Sequence, residues 1–332
     1  MSEDKMKRNK HLSHPVEGVR PSHLNGLMDL MKAYEKMSFQ ARNLGQAASL
    51  LARMHQNPDT LVVMTLAGAL VPGGLQGTIC DAVENHLVDV IISTGANMSH
   101  DIVEGTGHHH YRTADLQTDT ELKAAFINRI YDTFLDDDDF LETAAIIKTH
   151  LPQFKGTSSC DFTRFLGSIA QNRCILKSAY EHNVPIFIPA LNDSELGLVL
   201  NYYNFKQDDA NRIVWNGLQD NIRFAEIIKN VKSSGLLICG GGVPKNWAQQ
   251  VTPLLEYLHL SPGDRVRKFD GYKYGITITT DTPVYGGLSG CTFSESTSWG
   301  KYSDQADYIT VNCDTTIALP LIIGAVLEGL RK

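Results

Sequence analysis

The sequence predicts a single α/β domain built on a Rossmann-like, doubly wound and mostly parallel sheet with helices on both faces. Short apolar runs alternate with helical patterns along the whole chain, which is the order expected of repeated strand–helix units. The apolar runs end in glycines and small polar residues, and no linker separates two halves. The 332 residues, 42% hydrophobic and 20% charged, supply enough apolar side chains for one large core.

The first half of the chain predicts a charged arm followed by a βαβ unit. Residues 1–20 are charged and lack an apolar stretch, so we expect a mobile arm without a signal peptide, and one domain over residues 21–332. Apolar residues recur at helical spacing from Pro21 to Met54. After the turn "NPDT", the patterns predict a strand in "LVVMTLAGAL", a helix over 75–86 and a strand in "VDVIISTGAN".

The second half predicts a helical section and four further strands. Residues 115–180 are expected to be mostly helical, with the four aspartates at 136–139 in the solvated first turn of a helix. Apolar runs with small or polar tails then indicate strands in "VPIFIPALND", "SGLLICGGG", "YGITITTD" and "YITVNCDTT", and a helix follows the last of them. Six strand–helix units with no internal repeat therefore predict one sheet.

Composition and charge exclude several classes of protein. A net charge of −7 and a pI near 5.9 disfavour a nucleic-acid binder and suit a cationic ligand. Six scattered cysteines without a CxxC pair indicate reduced thiols in a cytoplasmic protein. The longest apolar run, "IALPLIIGAVLEGL", is too short and too interrupted to cross a membrane.

Two motifs that could carry chemistry find no support. The three histidines at 108–110, with His100 upstream, are adjacent on a loop and cannot all face one ion, and no Cys or Asp/Glu spacing supports them. We therefore predict no metal site. The chain has no GxSxG motif, so a serine hydrolase is not indicated.

The strand tails indicate a nucleotide site. In open α/β sheets, ligands bind beyond the carboxyl ends of the strands, and glycines there let backbone N–H groups approach a pyrophosphate. Gly240-Gly241-Gly242, directly after an apolar run, is the clearest example. The alternative is a tight strand-to-helix turn, because the dinucleotide fingerprint GxGxxG is missing.

The stretch "GGLSGCTFSESTSWGKYSD" at 286–304 is predicted to be a loop, too polar for a core strand and too glycine-rich for a stable helix. It ends by holding the indole of Trp299 beside the amine of Lys301, with Glu295 six residues upstream of the lysine. An apolar wall lowers a lysine pKa by desolvation, which frees the amine for imine formation. The indole can also hold a cation. The alternative is an ordinary solvated lysine.

Several blocks together resemble the deoxyhypusine synthase family. They are "FQARNLGQA", "VDVIISTGAN", "PALNDSELG", "CGGGVPKN", "SWGK" and "CDTTIALPL", in the family's order, and the resemblance extends from about residue 17 to the end. It implies a homotetramer with active sites at subunit interfaces. It also implies that NAD takes a hydride from spermidine, that a lysine captures the aminobutyl imine as 1,3-diaminopropane departs, and that an acceptor amine receives the group before NADH reduces it.

The resemblance assigns roles residue by residue. Lys301 matches the imine-forming lysine. The polyamine side is assigned to Glu295, Trp299, Glu195, Asn246, Gly286 and Gly287. The cofactor side is assigned to Gly68, Ala69, Thr94, Gly95, Ala96, Asp193, Gly240, Gly241, Gly242, Thr280, Asp281, Asp314 and Thr315.

The departures from the family pattern concern the substrate. Ser99-His100 stands where an acidic pair is usual, Asn246 where a histidine is usual, and Leu198 and Leu288 replace two channel aspartates, while Glu195 replaces a serine. On the cofactor side, Gly68-Ala69 replaces a Ser-Asn pair. An unpaired buried ammonium is costly, so these changes favour a small diamine acceptor such as putrescine, giving homospermidine. The alternatives are a true deoxyhypusine synthase acting on a translation-factor lysine, and a non-catalytic NAD- or polyamine-binding protein.

Overall fold

The computed structural model describes residue 12 and residues 14–113, 118–264, 266 and 268–331. Most of the predicted arm, residues 1–11 and 13, lies outside the described residues. Residues 15–20 have no regular secondary structure, and the chain then makes a 3₁₀ turn at Pro21–His23 before its first helix.

Thirteen helices and nine strands make up the described part of the chain. In order they are α1 (Leu27–Glu35), α2 (Phe39–Gln56), β1 (Thr60–Leu66), α3 (Gln76–Glu84), β2 (Val90–Ser93), α4 (Gly95–Gly105), β3 (Tyr111–Arg112), α5 (Asp119–Ala124), β4 (Ile127–Ile130), β5 (Thr133–Asp136), α6 (Asp137–His150), α7 (Ser159–Ile169), α8 (Ile175–Glu181), β6 (Ile186–Phe187), α9 (Glu195–Phe205), α10 (Gly217–Lys229), β7 (Ser233–Cys239), α11 (Gly242–Tyr257), β8 (Tyr272–Thr279), α12 (Phe293–Ser298), β9 (Tyr302–Asn312) and α13 (Thr315–Leu330).

The predicted doubly wound sheet is confirmed. Six parallel strands pair in the order β6-β2-β1-β7-β8-β9. The chain builds β1, β2 and β6 outward in one direction, then returns to the other side of β1 for β7, β8 and β9. The direction in which strands are added therefore reverses between β1 and β7. A crevice opens beyond the carboxyl ends of these two strands, where this class of sheet binds ligands.

Both faces of the sheet are buried under helices. Val62 and Met64 of β1 belong to one apolar cluster, with Leu50 of α2, while Val63 belongs to the other, with Phe224 of α10. Because successive strand residues point to opposite faces, a strand covered on both sides must be apolar without alternation. This is why "LVVMTL" reads as a continuous apolar run. All six cysteines are free, and no helix in the described part of the chain is long and apolar enough to cross a membrane.

The section from 115 to 180 is only partly as predicted. A small antiparallel sheet, in the order β3-β5-β4, lies where helix was expected. Its β4–β5 hairpin turns at Tyr131, which has a positive φ of 54°. Hairpin turns are recognised by Asn-Gly or Asp-Gly, so a tyrosine in that conformation hides the turn from the sequence. The four aspartates do begin a helix, as predicted: Asp136 caps α6 by accepting the N–H of Asp138 at 3.0 Å.

Candidate active site

The crevice beyond β1 and β7 has a volume of about 1110 Å³ and is lined mainly by strand tails. Nine of the predicted cofactor residues line it: Gly68, Ala69, Gly240, Gly241, Gly242, Thr280, Asp281, Asp314 and Thr315. They come from four different strand ends, those of β1, β7, β8 and β9. The parallel topology alone brings these tails to one edge of the sheet, although they are up to about 250 residues apart in sequence.

Glycines shape the crevice wall. Gly68 and Gly242 have positive φ values of 89° and 59°, and a Cβ at either position would meet no atom within 4 Å. A side chain there would therefore project into open space on a wall of the crevice. Gly241 is different, because a Cβ would lie 2.6 Å from the Cα of Ser289. The open glycines leave backbone exposed to a ligand, and this suits the close approach of a pyrophosphate.

Two helices begin at the crevice. The first turns of α11, at Gly242, and of α13, at Thr315 and Thr316, contribute to the lining. Asp314 caps α13 by accepting both the N–H and the hydroxyl of Thr316 at 2.7 Å. Free N–H groups and the helix dipole make such ends favourable for anions. The residues present thus fit a dinucleotide such as NAD.

Four predicted cofactor residues lie outside this lining. Thr94 caps α4 by accepting the N–H of Asn97, and Gly95 and Ala96 form the first turn of that helix. Asp193 is exposed on the turn before α9. The two segments touch, because a Cβ on Gly95 would lie 2.4 Å from the Ser194 hydroxyl. They form the neighbouring part of the same sheet edge, beyond β2 and β6.

The stretch from 286 to 301 is more ordered than predicted. It holds a 3₁₀ turn at Leu288–Gly290 and the short helix α12, so the expectation of a loop without helix was wrong. Thr292 caps α12 by accepting the N–H of Glu295 at 3.1 Å. A local hydroxyl cap and burial of Phe293 in the core stabilise this turn against the weak helix propensity of "FSESTS".

The Trp-Gly-Lys sequence is a helix stop. Gly300 has a φ of 70°, its N–H donates to the carbonyl of Thr297 at 2.8 Å, and the N–H of Lys301 donates to the carbonyl of Ser296 at 3.1 Å. This pair of bonds is the Schellman motif, which needs a residue in the left-handed region after the helix. Glycine between Trp299 and Lys301 thus lets the chain reverse, so that the lysine enters the start of β9.

Lys301 is buried and its amine has a defined partner. Its side chain belongs to a residue only 8% exposed, and Nζ donates to Oδ1 of Asn246 at 2.9 Å. Desolvation by burial lowers the pKa of Lys301, against the opposing effects of Cys291 and Glu295. The prediction of a confined amine with a lowered pKa therefore agrees with the structure.

Trp299 does not shield that amine in the way the sequence suggested. It is 64% exposed and lines a separate groove of about 730 Å³ with residues of α10 and α11, among them Phe224 and Trp247. Trp299 is therefore open to a ligand or to another chain, whereas Lys301 is buried.

Lys245 was missed by sequence reasoning. It is 2% exposed, and its Nζ donates to the carbonyls of Leu288, Ser289 and Cys291 at 3.3, 3.3 and 2.8 Å. Its pKa is lowered mainly by desolvation, and Lys301 contributes to the lowering. Its position directly before Asn246 on α11 was the only available signal, and a lysine after a glycine triplet is ordinarily taken for a surface charge.

The remaining polyamine-side residues lie at the surface. Glu295 is exposed on α12, and its carboxylate raises the pKa of both Lys245 and Lys301, so it lies near the two amines. Gly286 and Gly287 are exposed between a 3₁₀ turn at Pro283–Tyr285 and the one at Leu288–Gly290. Glu195 is exposed in the first turn of α9. The two substituted positions, Leu198 and Leu288, are exposed as well.

The histidines form hydrogen-bonded clusters with carboxylates. His110 Nδ1 pairs with Glu104 at 2.7 Å and its Nε2 with His100 at 2.9 Å, while His108 pairs with Asp139 at 2.8 Å. Desolvation and the neighbouring His110 lower the pKa of His100 to about 4. Among the described residues, no group of three His, Cys, Asp or Glu side chains could hold a metal ion.

Comparison with known proteins gives one consistent family. The profile described as deoxyhypusine synthase matches residues 29–326. A "Probable deoxyhypusine synthase 1" from Methanosarcina mazei is 36% identical over 326 residues, or 97% of this chain and 98% of that protein. A "Deoxyhypusine synthase-like protein" from Chlorobaculum parvum is 32% identical over 333 residues, covering 98% and 92%. A solved "putative deoxyhypusine synthase" from Entamoeba histolytica has a TM-score of 0.63 at 15% identity, covering 94% and 97%, which supports the fold.

The six parallel strands, with a crevice where the strand order reverses, define a doubly wound α/β protein of the class that binds ligands at this edge of the sheet. Within that class, the chain belongs to the deoxyhypusine synthase family, because the family profile and relatives above 30% identity cover nearly all of it. It is therefore a transferase of the family that moves the aminobutyl group of spermidine. The family resemblance in the sequence is confirmed.

Proposed function

We propose that this protein uses NAD and spermidine to transfer an aminobutyl group, through an imine on Lys301, to a lysine of a carrier protein. The observation that carries the proposal is the buried Lys301 amine, with its lowered pKa, in a chain of this family. An imine forms only from an unprotonated amine, so a lysine held in a desolvated pocket is suited to the step.

The crevice would hold the cofactor with backbone groups. Gly68 and Gly242 leave room for the pyrophosphate, and the N-termini of α11 and α13 favour its charge. Asp281 and Asp314 supply carboxylates that can accept ribose hydroxyls. NAD, when bound, supplies a hydride acceptor for spermidine and a hydride donor at the end of the turnover. The chain's own part is to place the polyamine against it.

The polyamine would be held by the residues around Lys301. Glu295 already lies close to both buried amines and would pair with an ammonium of spermidine. Glu195 begins α9 beyond β6, at the opposite edge of the sheet from β9, so it would supply a second carboxylate only from another subunit. The exposed indole of Trp299 can hold a cationic amine by a cation–π contact. Asn246 accepts a hydrogen bond from Nζ of Lys301 and so holds the amine in a defined position.

The choice of acceptor changes from the first sequence interpretation. The substituted acidic positions favoured a small diamine, whereas the full-length relatives carry the name deoxyhypusine synthase or deoxyhypusine synthase-like. These names favour the protein-lysine acceptor, which the sequence interpretation ranked second. Putrescine stays the second candidate, and the observation that favours it is the apolar Leu198 and Leu288 where the family has channel aspartates.

Sites at subunit interfaces are part of the proposal. The residues assigned to the polyamine are open to solvent in the single chain, as Trp299, Glu295 and the neighbouring Tyr285, 87% exposed, indicate. A polyamine channel that excludes water therefore needs a second subunit to cover these side chains. We propose that the protein is cytoplasmic and forms a homotetramer in which neighbouring subunits supply that cover. Light scattering tests this directly, and a monomer that still turns over spermidine would contradict shared sites.

Product analysis tests the function. The protein is incubated with spermidine and NAD, and with a purified carrier protein, putrescine, or both. We expect 1,3-diaminopropane to be released and the carrier lysine to gain the mass of an aminobutyl group. Homospermidine in preference to modified carrier, when both acceptors compete, would replace the first candidate by the second. Absence of 1,3-diaminopropane under every condition would overturn both.

A further inference from the structure

The small antiparallel sheet forms one wall of the cofactor crevice. Ile130 pairs with Thr133 across the β4–β5 hairpin, and Arg112 of β3 pairs with Thr133 from the other side. Residues that lie directly opposite each other in a sheet point to the same face, and all three of these line the crevice. The hydroxyl of Thr133 donates to the carbonyl of Pro72, in the segment that follows β1, at 3.4 Å. One face of the small sheet is therefore turned to the crevice.

Tyr131 lies at the tip of this wall. It is the first residue of the two-residue loop that joins β4 to β5, and it lines the crevice. The residue is 82% exposed, and no hydrogen bond or ring contact holds its side chain within the described part of the chain. An exposed aromatic ring beside a cavity of about 1110 Å³ is free to pack on a ligand.

The backbone of Tyr131 is strained, and its neighbours hold it in that conformation. Its φ of 54° lies in the left-handed region, where glycine is the usual first residue of a two-residue hairpin loop. Arg129 donates from Nη1 to the carbonyl of Tyr131 at 2.9 Å, and it binds both carboxylate oxygens of Asp119 at 2.6 and 2.9 Å. Because Arg129 contacts the main chain of Tyr131, it holds the turn whatever side chain Tyr131 carries.

This strain indicates a use for the side chain. Glycine would adopt the conformation without strain, so a tyrosine lowers stability unless its ring makes a contact that glycine cannot make. Non-glycine residues in such conformations cluster at ligand clamps and active sites. The ring of Tyr131 adds little to the core, because the residue is mostly exposed. A ligand in the crevice is the partner that its position offers.

The charge on this wall also suits a dinucleotide. Among the described residues that line the crevice, Arg112 is the one lysine or arginine, against the carboxylates of Asp132, Asp281 and Asp314. A pyrophosphate beside those carboxylates needs a cation, and arginine pairs well with phosphate oxygens. The wall therefore offers a charge for the phosphates and a ring for a base, in addition to the open glycines of the strand tails.

We infer that Tyr131 is a cofactor-binding residue whose ring stacks on an aromatic ring of the bound dinucleotide, adenine or nicotinamide. The inference rests on one part of the proposed function, namely that the crevice takes NAD. Both rings of NAD present a flat π-face, and stacking on it does not depend on hydrogen-bond partners. Such a contact therefore suits a ring at an exposed hairpin tip.

Binding measurements on the full-length protein test the inference without catalysis. NAD is titrated by calorimetry into the wild type and into Tyr131→Gly, and the melting temperature of each is measured without ligand. Loss of a stacking contact should weaken NAD binding by about tenfold. The melting temperature should not fall, because glycine relieves the strain of the positive φ. Weaker binding by a protein that is no less stable is a result that a merely structural role would not give.

Matched variants separate the ring from the backbone. Tyr131→Phe keeps the ring and should bind NAD like the wild type, whereas Tyr131→Leu keeps an apolar side chain and should bind as weakly as Tyr131→Gly. Phe126, directly before β4, is also exposed and has a positive φ of 57°, but it does not line the crevice. Phe126→Gly should therefore leave the affinity for NAD unchanged.

Two fragments of NAD identify the ring that Tyr131 contacts. ADP-ribose lacks nicotinamide, and nicotinamide mononucleotide lacks adenine. If Tyr131→Gly weakens the binding of ADP-ribose as much as that of NAD, the tyrosine stacks on adenine. If it weakens the binding of nicotinamide mononucleotide to that extent instead, the tyrosine stacks on nicotinamide.

The outcomes separate this inference from the proposed function. A wild type that binds NAD, with a Tyr131→Gly variant that binds it equally well, would overturn the role of Tyr131 and leave aminobutyl transfer in place. A wild type without affinity for NAD would remove both. Unchanged NAD affinity with loss of the oligomer, measured by light scattering, would assign the ring to a subunit contact and also overturn the inference.

Discussion

The cofactor crevice and the lysine pocket of this protein are built by different means. The crevice is made from the tails of four parallel strands, two helix N-termini and the small β3-β5-β4 sheet, and its open glycines expose backbone to a ligand. The amine of Lys301 is held by a side chain, that of Asn246, which accepts its hydrogen bond. The departures from the family pattern that the sequence predicts fall mostly on the residues assigned to the polyamine.

The difference shows where substitution is tolerated. Backbone N–H groups are present whatever the side chain, so replacing a Ser-Asn pair by Gly68-Ala69 leaves the crevice usable, and the open space at Gly68 remains. In the pocket, each substitution changes a hydrogen bond or a charge that must pair with an ammonium. We therefore expect variants in the crevice to change the space left for the dinucleotide. Variants in the pocket should change the hydrogen bonds and charges around the amine.

The largest effect is expected from Lys301→Arg. The guanidinium stays charged and cannot form an imine, so aminobutyl transfer should fall by at least about a thousandfold. Binding of NAD should be unchanged, because Lys301 is not part of the crevice lining. Transfer rates test the first expectation, and titration with NAD by calorimetry tests the second. A fully active variant would contradict the assignment of Lys301 as the imine-forming residue.

Next in size is Glu295→Gln. A charge-assisted hydrogen bond in a desolvated channel contributes roughly 1.5–3 kcal/mol, so apparent spermidine affinity should weaken by about one to two orders of magnitude. NAD affinity should barely move. Steady-state kinetics with each ligand varied separately gives both numbers. If only NAD binding changed, the two regions would be assigned the wrong way round.

Gly242→Ala probes the crevice in the same way. Its φ of 59° disfavours any side chain, and the added methyl would project toward the dinucleotide, so NAD affinity should fall by about tenfold. The apparent affinity for spermidine at saturating NAD should not change. Loss of spermidine binding at saturating NAD would contradict the separation of the two regions.

Gly300→Ala should give the smallest effect. A non-glycine residue in the left-handed position after α12 costs about 1 kcal/mol, which lowers the melting temperature by only a few degrees. Activity should fall in parallel, because the helix stop places Lys301. Thermal unfolding with and without NAD measures the shift, and Gly107→Ala, at the same kind of left-handed helix stop after α4 (φ of 107°), is the matched control.

Much of the crevice could be predicted from the sequence, because strand tails in a parallel sheet must meet at one edge. The apolar runs, the triplet Gly240–Gly242 and the aspartate cap at 136 are local signals with one structural meaning. Lys245 could not be predicted, because its three partners lie more than 40 residues further along the chain. The β4–β5 hairpin was missed because Tyr131 adopts a conformation that the sequence normally reserves for glycine.

Borohydride trapping tests the central claim most directly. The native protein is incubated with NAD and spermidine labelled in its aminobutyl carbons, reduced with borohydride, and digested for mass spectrometry. We expect the label on Lys301, dependent on NAD and absent in Lys301→Arg, with Lys245 unmodified. Label on Lys245 or on another lysine, or no covalent label in a protein that still releases 1,3-diaminopropane, would contradict the account.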